Sequence, residues 1–221
     1  MKGSEIVDLV VVKLEEYTPF RDEVHLALNN GGNAEDETRP VLSYISKSLK
    51  QAADEMLRVM PLAWLRFKSE AVSCVPDRKD NRIGSIALPS DFLRLHTLLM
   101  EGWNRPVHYT IDEGHPDYQL QYNEWTRGTR QKPVAVLYGM GVSENEKFQE
   151  IRYYSVAPSD VHTAEVFRYV PEFDEEREYD SDAAELIALN CARKVAEIFG
   201  MTEQMQTFTG EIKNVLDNVR A

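Results

Sequence analysis

Ile86-Ala87-Leu88-Pro89-Ser90-Asp91-Phe92-Leu93-Arg94-Leu95 is the stretch that decides the fold. Pro89 has no amide hydrogen to give to a central ladder, and Pro-Ser-Asp turns the chain. Ile86-Ala87-Leu88 therefore ends one strand, and Phe92-Leu93-Arg94-Leu95 opens another with alternating burial. The same pattern repeats on either side. Strand-like runs at Phe67–Val75, Arg82–Leu88, Phe92–Met100, Pro106–Ile111, Pro133–Tyr138, Glu150–Val156 and Thr163–Tyr169 are separated by turn signals such as Pro76-Asp77, Trp103-Asn104-Arg105, Gly139–Gly141 and Pro158-Ser159-Asp160. Many short strands joined by tight turns predict an antiparallel sandwich or barrel.

Working outward, the periodicity becomes helical. Ser4 is placed to cap a helix carrying Ile6, Leu9, Val10, Leu14 and Tyr17, which Thr18-Pro19 stops before the Asn29–Asn33 loop. After acidic Glu35, Asp36 and Glu37, Thr38 as cap and Pro40 in the first turn precede a stripe of Val41, Leu42, Ile45, Leu49, Ala52, Ala53, Met56 and Met60, ending near Pro61. Beyond the strands, the acidic run Glu172–Asp182 reads as a solvated linker. Asp182 with Glu185 resembles a capping box opening a helix that Gly200 ends, and a last helix starts at Thr202. Helices and strands are segregated, so the fold class is α+β: a helical bundle formed by both chain termini (1–64 and 180–221) with an inserted antiparallel β-sandwich or barrel domain (65–179).

The composition is that of a globular protein: 221 residues, 43% apolar and 28% charged. Lys and Arg number 25 against 37 Asp and Glu, a net charge of −12, which disfavours binding to a phosphate backbone through an electropositive face. The apolar run Ile6–Leu14 is interrupted by Asp8 and Lys13, too short and too charged for a membrane span or signal-peptide core. Cys74 and Cys191 stand far apart with no zinc or Cys-x-x-Cys spacing, and read as reduced, buried residues of a protein made in a cytoplasm.

Candidate chemistry is sparse. His108, Asp112, Glu113, His115 and Asp117 crowd one loop, but their spacing matches no zinc or two-metal signature. No glycine-rich phosphate loop, nucleophile elbow or His-Glu-x-x-His helix occurs, and His25, His96 and His162 are isolated. No catalytic residue, metal site or cofactor is expected. The aromatic residues, Trp64, Trp103 and Trp125 among them, suit core packing and protein interfaces. Trp125, Arg127, Arg130 and Lys132 are different: they concentrate a large apolar side chain and three cations in an acidic chain. The segment Asn123–Lys132 is either a solvated loop or an arm that docks on an acidic neighbour or on DNA.

The order of parts resembles a known family. A capped helix ends in Pro61-Leu62-Ala63-Trp64, strands lead to Ile86–Leu95, Lys132-Pro133 opens a strand, a Tyr-rich strand pair ends in Tyr169-Val170-Pro171, and helices close the chain. This looks like the head-to-tail connector (adaptor or tail-tubular ring) proteins of short-tailed bacteriophages, most like the ring proteins of crAss-like phages. The Leu-Pro-Ser-Asp-Phe-Leu-Arg-Leu box and the later Lys-Pro carry most of the likeness. The resemblance implies a virion structural protein, made in the host bacterial cytoplasm, that joins other copies of itself in a ring of about twelve. It implies a place between the portal protein and the neighbouring tail or ring proteins, with genomic DNA passing through the channel without sequence-specific binding and no contact with a membrane. An acidic channel wall would let DNA slide. A soluble β-sandwich module binding carbohydrate or peptide, or a cell-wall hydrolase using the Asp112–Asp117 loop, are the alternatives left by the residues themselves.

Overall fold

The computed structural model describes residues 1–16, 38–143, 146–159 and 161–220. Tyr17, Thr18-Pro19, His25, the Asn29–Asn33 loop and the acidic residues Glu35, Asp36 and Glu37 lie outside the described residues. The chain divides into two compact units, one from Met1–Arg66 with Glu172–Ala221 and one from Phe67–Pro171. The protein is mixed α+β, with two antiparallel sheets and no closed barrel.

In the second unit, a sheet of β1 (Lys68–Ser69), β7 (Ala164–Pro171) and β4 (Phe92–Met100), in that order, faces a sheet ordered β2 (Cys74–Pro76), β3 (Gly84–Ala87), β6 (Glu146–Tyr153) and β5 (Ala135–Ser143). The Pro89-Ser90-Asp91 turn is where the chain leaves one sheet and enters the other: β3 belongs to the four-stranded sheet, and β4 to the three-stranded one. Phe92 N–H closes that turn on Pro89 O at 3.0 Å. Asp91 pins it, accepting from Tyr169 Oη at 2.8 Å and Lys68 Nζ at 2.6 Å. Burial works against the charge of Asp91, but these two donors hold its carboxyl below the ordinary range. Ile86, Leu95, Leu98, Met100, Ile151, Tyr153, Phe167 and Tyr169 fill one core between the sheets.

Several sequence expectations need correction here. The run Phe67–Val75 breaks into β1 and β2, which lie in different sheets. Pro106–Ile111 is no strand; it makes only isolated bridges, Leu98↔Val107 and Ile111↔Val136. Register shifts after Phe92 and Leu95 break the alternation in β4, so Leu93 is buried as well. Gly139–Gly141 is no turn, because β5 continues to Ser143 against β6. Alternation in β5 and β6 sends Ala135 and Tyr153 into the main core and Val136 and Tyr154 to the other face, where Ile111 and Tyr118 cover them. The long connection between β4 and β5 is therefore packed on the back of the four-stranded sheet.

In the helical unit, α1 (Ile6–Glu16), α2 (Thr38–Val59) and α4 (Thr202–Arg220) each pack on α3 (Ser181–Ile198). α3 is a hub because most of its residues are buried, with Ala183, Ala184, Ala188, Ala192 and Ala196 letting its neighbours approach closely. Its cap is Asp180, whose carboxylate accepts from Asp182 N–H at 3.1 Å, and not Asp182 itself. Ser4 does not cap α1 either; it sits inside a short 3-10 turn, Gly3–Glu5, where Glu5 accepts from Lys2 N–H at 2.9 Å. Leu42, expected on the apolar stripe of α2, is exposed, while Leu57 is buried.

The acidic stretch is no solvated linker. Gly3 and Ser4 donate to Arg177 O and Glu175 O, both at 2.9 Å, and Tyr179 donates to Met1 O at 2.8 Å. Phe173 and Tyr179 stack at 5.3 Å and are buried, and Asp54 accepts from Phe173 N–H at 2.8 Å. Apolar residues at two positions among the acids anchor the segment and leave its carboxylates at the surface.

Candidate interface surface

The site begins at the β2–β3 connection. Asp77 Oδ1 accepts from Lys79 N–H at 2.8 Å and Asp80 N–H at 3.3 Å, folding the connection into a tight turn that brings Asp80 and Arg82 together. Arg82 grips Asp80 with Nε and Nη2, at 3.0 and 3.1 Å. Arg82 Nη2 also reaches Glu124 Oε1 at 2.6 Å, and Arg127 Nη2 reaches Asp80 Oδ2 at 2.8 Å. The Arg82 guanidinium, its backbone N–H and Arg127 hold the Asp80 carboxyl well below the usual carboxylate range in spite of partial burial. Four charges from two segments thus clamp residues 124–127 to the β2–β3 turn.

The clamped segment is ordered throughout. After the 3-10 turn Gln119–Tyr122, Asn123 caps the next bend by accepting from Trp125 N–H at 2.9 Å, and Thr126 Oγ1 donates to Leu120 O at 2.8 Å. Buried Gln121 donates to Asp117 O at 2.9 Å and accepts from Gly128 N–H at 2.8 Å. A Cβ on Gly128 would lie 2.9 Å from Val134 Cβ, so the close approach requires glycine. Ser155 donates its hydroxyl to Gly128 O, and it does so from a left-handed backbone, φ 59°, that a non-glycine residue adopts only under constraint. Asn104 N–H donates to Arg130 O at 2.9 Å, and Thr129 and Lys132 exchange backbone bonds at 3.0 and 3.1 Å.

The residues singled out in the sequence separate accordingly. Trp125 is 91% exposed, and Arg130 and Lys132 are exposed with no acidic partner among the described residues. Arg127 is 9% exposed and spends its charge on Asp80, so it is an internal fastener and not a docking cation. The segment is a rigid platform rather than a free arm. Tyr122, 66% exposed, and Leu120, 43% exposed, join Trp125 on it. Tyr122 Oη donates to Tyr118 Oη at 2.9 Å, and the Tyr118 ring meets that of Tyr138, over which Arg152 lies at 5.1 Å. Composition did not expose Asp80, Arg82 and Glu124 as partners of this segment, although the charge-dense Asp77–Arg82 run flanked by turn residues carried the signal of a structured turn.

The polar loop does not converge. His108 Nδ1 donates to His96 O at 2.9 Å, whereas Asp112 bonds Gly114 N–H at 3.0 Å and His115 accepts from Asp117 N–H at 3.1 Å. The last two are local turn bonds, whereas the first ties His108 back to β4, so the polar groups face separate partners. Among the described residues, no three His, Cys, Asp or Glu side chains are grouped to hold a metal ion. Trp103 is core, donating Nε1–H to Tyr154 O at 3.0 Å. No family model matches the chain, and no curated protein is similar to it.

Proposed function

We propose that the protein is a virion structural component: a subunit of an oligomeric ring between the portal and the tail of a short-tailed bacteriophage. The ring extends the DNA channel and offers a platform for tail components, and the chain acts by assembly and not by turnover. The observation that carries this reading is Trp125, 91% exposed on a segment fixed by the Asp80, Arg82, Glu124 and Arg127 clamp. An exposed tryptophan on an ordered platform is the signature of a surface that is covered in the working state. The net charge of −12 supports a channel wall over which DNA slides. No helix of the described residues is long and apolar enough to cross a membrane. In this reading the helices of both chain segments form one bundle layer.

Imaging of native particles with a label on this chain tests the reading. The expected result is density for a ring at the portal vertex containing the chain, and co-purification with the portal protein. A chain missing from mature particles, or one that binds or cleaves cell-wall glycans as a monomer, would overturn it.

A further inference from the structure

We propose that the aromatic platform around Trp125 docks head-to-tail on the acidic segment 172–185 of a second copy of this chain. The inference rests on the ring reading and names the contact that builds the ring. The platform presents Trp125 and Tyr122 as apolar anchors, with Arg130 and Lys132 as uncommitted cations a few residues away. Its shape is set before any partner arrives, because the Asp80 clamp, the Gln121 bonds and the Ser155 hydroxyl hold the backbone. Docking therefore does not have to order the anchor-bearing segment.

The complement lies on the other compact unit. Between Glu172 and Glu185 stand eight carboxylates, Arg177 being the sole cation in that span. The segment is ordered by its backbone bonds to Gly3, Ser4 and Met1 and by the buried pair Phe173 and Tyr179, so its charge is displayed on a fixed ridge. Several of these acids have cationic neighbours of their own, Glu178 with Arg66 and Glu172 with Lys50, but Glu175 is exposed and lacks a side-chain ion pair among the described residues. Glu176 has only a distant one, 4.0 Å from Lys2. In a chain of net charge −12, two cations with no acidic partner among the described residues, five and seven positions after an exposed tryptophan in sequence, favour an acidic partner, and the ridge is an ordered acidic surface on every copy. Used head-to-tail, the contact leaves one platform and one ridge unpaired on every pair of copies, so it repeats into a ring or a filament.

The test is sedimentation velocity and native mass spectrometry of the purified full chain. Wild type is expected to form species larger than dimers that dissociate as salt rises. Trp125→Ala and the pair Arg130→Glu with Lys132→Glu should each weaken association at least about tenfold. Reversal of the ridge, Glu175→Lys with Glu176→Lys, should do the same, and combining both reversals should restore assembly. Trp125 and the charged positions are exposed, so circular dichroism and thermal unfolding serve as the fold control. The inference is overturned if wild type remains a monomer at roughly 100 μM, if Trp125→Ala assembles like wild type, or if the combined reversal fails to recover what each reversal loses. Particles that carry the ring while these variants still assemble would sink this contact and leave the ring reading standing. Particles without the chain would sink the ring reading itself.

Discussion

The hydroxyl of Tyr153 lies 2.8 Å from Nδ1 of His162, and both side chains are buried. The other ring nitrogen of His162 is 2.8 Å from the carbonyl oxygen of Asn81, which only accepts, so Nε2 carries the proton and Nδ1 receives the one from Tyr153. These bonds tie β6 to the β2–β3 turn and to the connection before β7. Burial pushes the Tyr153 phenol up, keeping the proton that His162 needs. Tyr153→Phe keeps the ring and strands Nδ1, and it should cost about 1–3 kcal/mol in denaturant unfolding. A loss no larger than that of an exposed tyrosine would show the bond to be incidental.

Gly84 sits where that tyrosine ends. A Cβ there would run into Tyr153 Oη and lie 2.5 Å from its Cζ and 2.7 Å from the Val75 carbonyl oxygen. Gly84→Ala should destabilise the β unit by about 3 kcal/mol or more. Removing the hydroxyl does not remove the ring carbon or the backbone oxygen. The double variant with Tyr153→Phe should therefore not be rescued, as thermal melts of the single and double variants would reveal.

Asp80→Asn should loosen the clamp and strand Arg127, whose side chain is 8% exposed, at a cost on the order of 2 kcal/mol near neutral pH. The sign of the pH dependence follows from the depressed carboxyl. Its contribution is complete above the unfolded carboxylate value of about 4 and is lost as pH falls through the lower folded value. The gap in stability between wild type and Asp80→Asn should stay constant from neutral pH down to mild acid and narrow in strong acid. A gap that widened on acidification would contradict the assignment.

Cys191 is 0% exposed on α3, its sulfur 3.8 Å from Ile45 O, and burial pushes its thiol up to about 12. It should resist alkylation in the folded protein at roughly pH 8 and react at an ordinary rate once unfolded. Cys74, half-buried and also raised by burial, should react slowly. Mass spectrometry after timed iodoacetamide exposure checks both. Stoichiometric labelling of native Cys191 would mean that the α2–α3 packing opens readily.

How far the sequence could be read depended on whether a residue's role was local. The Pro89-Ser90-Asp91 turn stands where expected, because it is closed locally by the Phe92 N–H bond to Pro89 O and proline interrupts a ladder wherever it stands. That the turn changes sheets was not legible, since sheet membership depends on partners such as Tyr169, distant in sequence. The cap of α3 was misplaced by two residues because Asp180 and Asp182 are equally good caps in sequence, and tertiary bonds of Tyr179 to Met1 set the register. The exposure of Trp125 was legible from its loop context, whereas the commitment of Arg127 to Asp80, 47 residues away, was not.

The stitching of Met1, Gly3 and Ser4 to residues 175–179 has a consequence for biosynthesis. α1 and α2 touch each other little, and both bury their apolar faces on α3, which begins at Ser181. A ribosome therefore delivers Ile6, Val10, Leu14, Ile45 and Leu49 long before the surface that covers them exists. The contiguous unit Phe67–Pro171 folds in the meantime, and the earlier helices need shelter from aggregation until the end of the chain emerges.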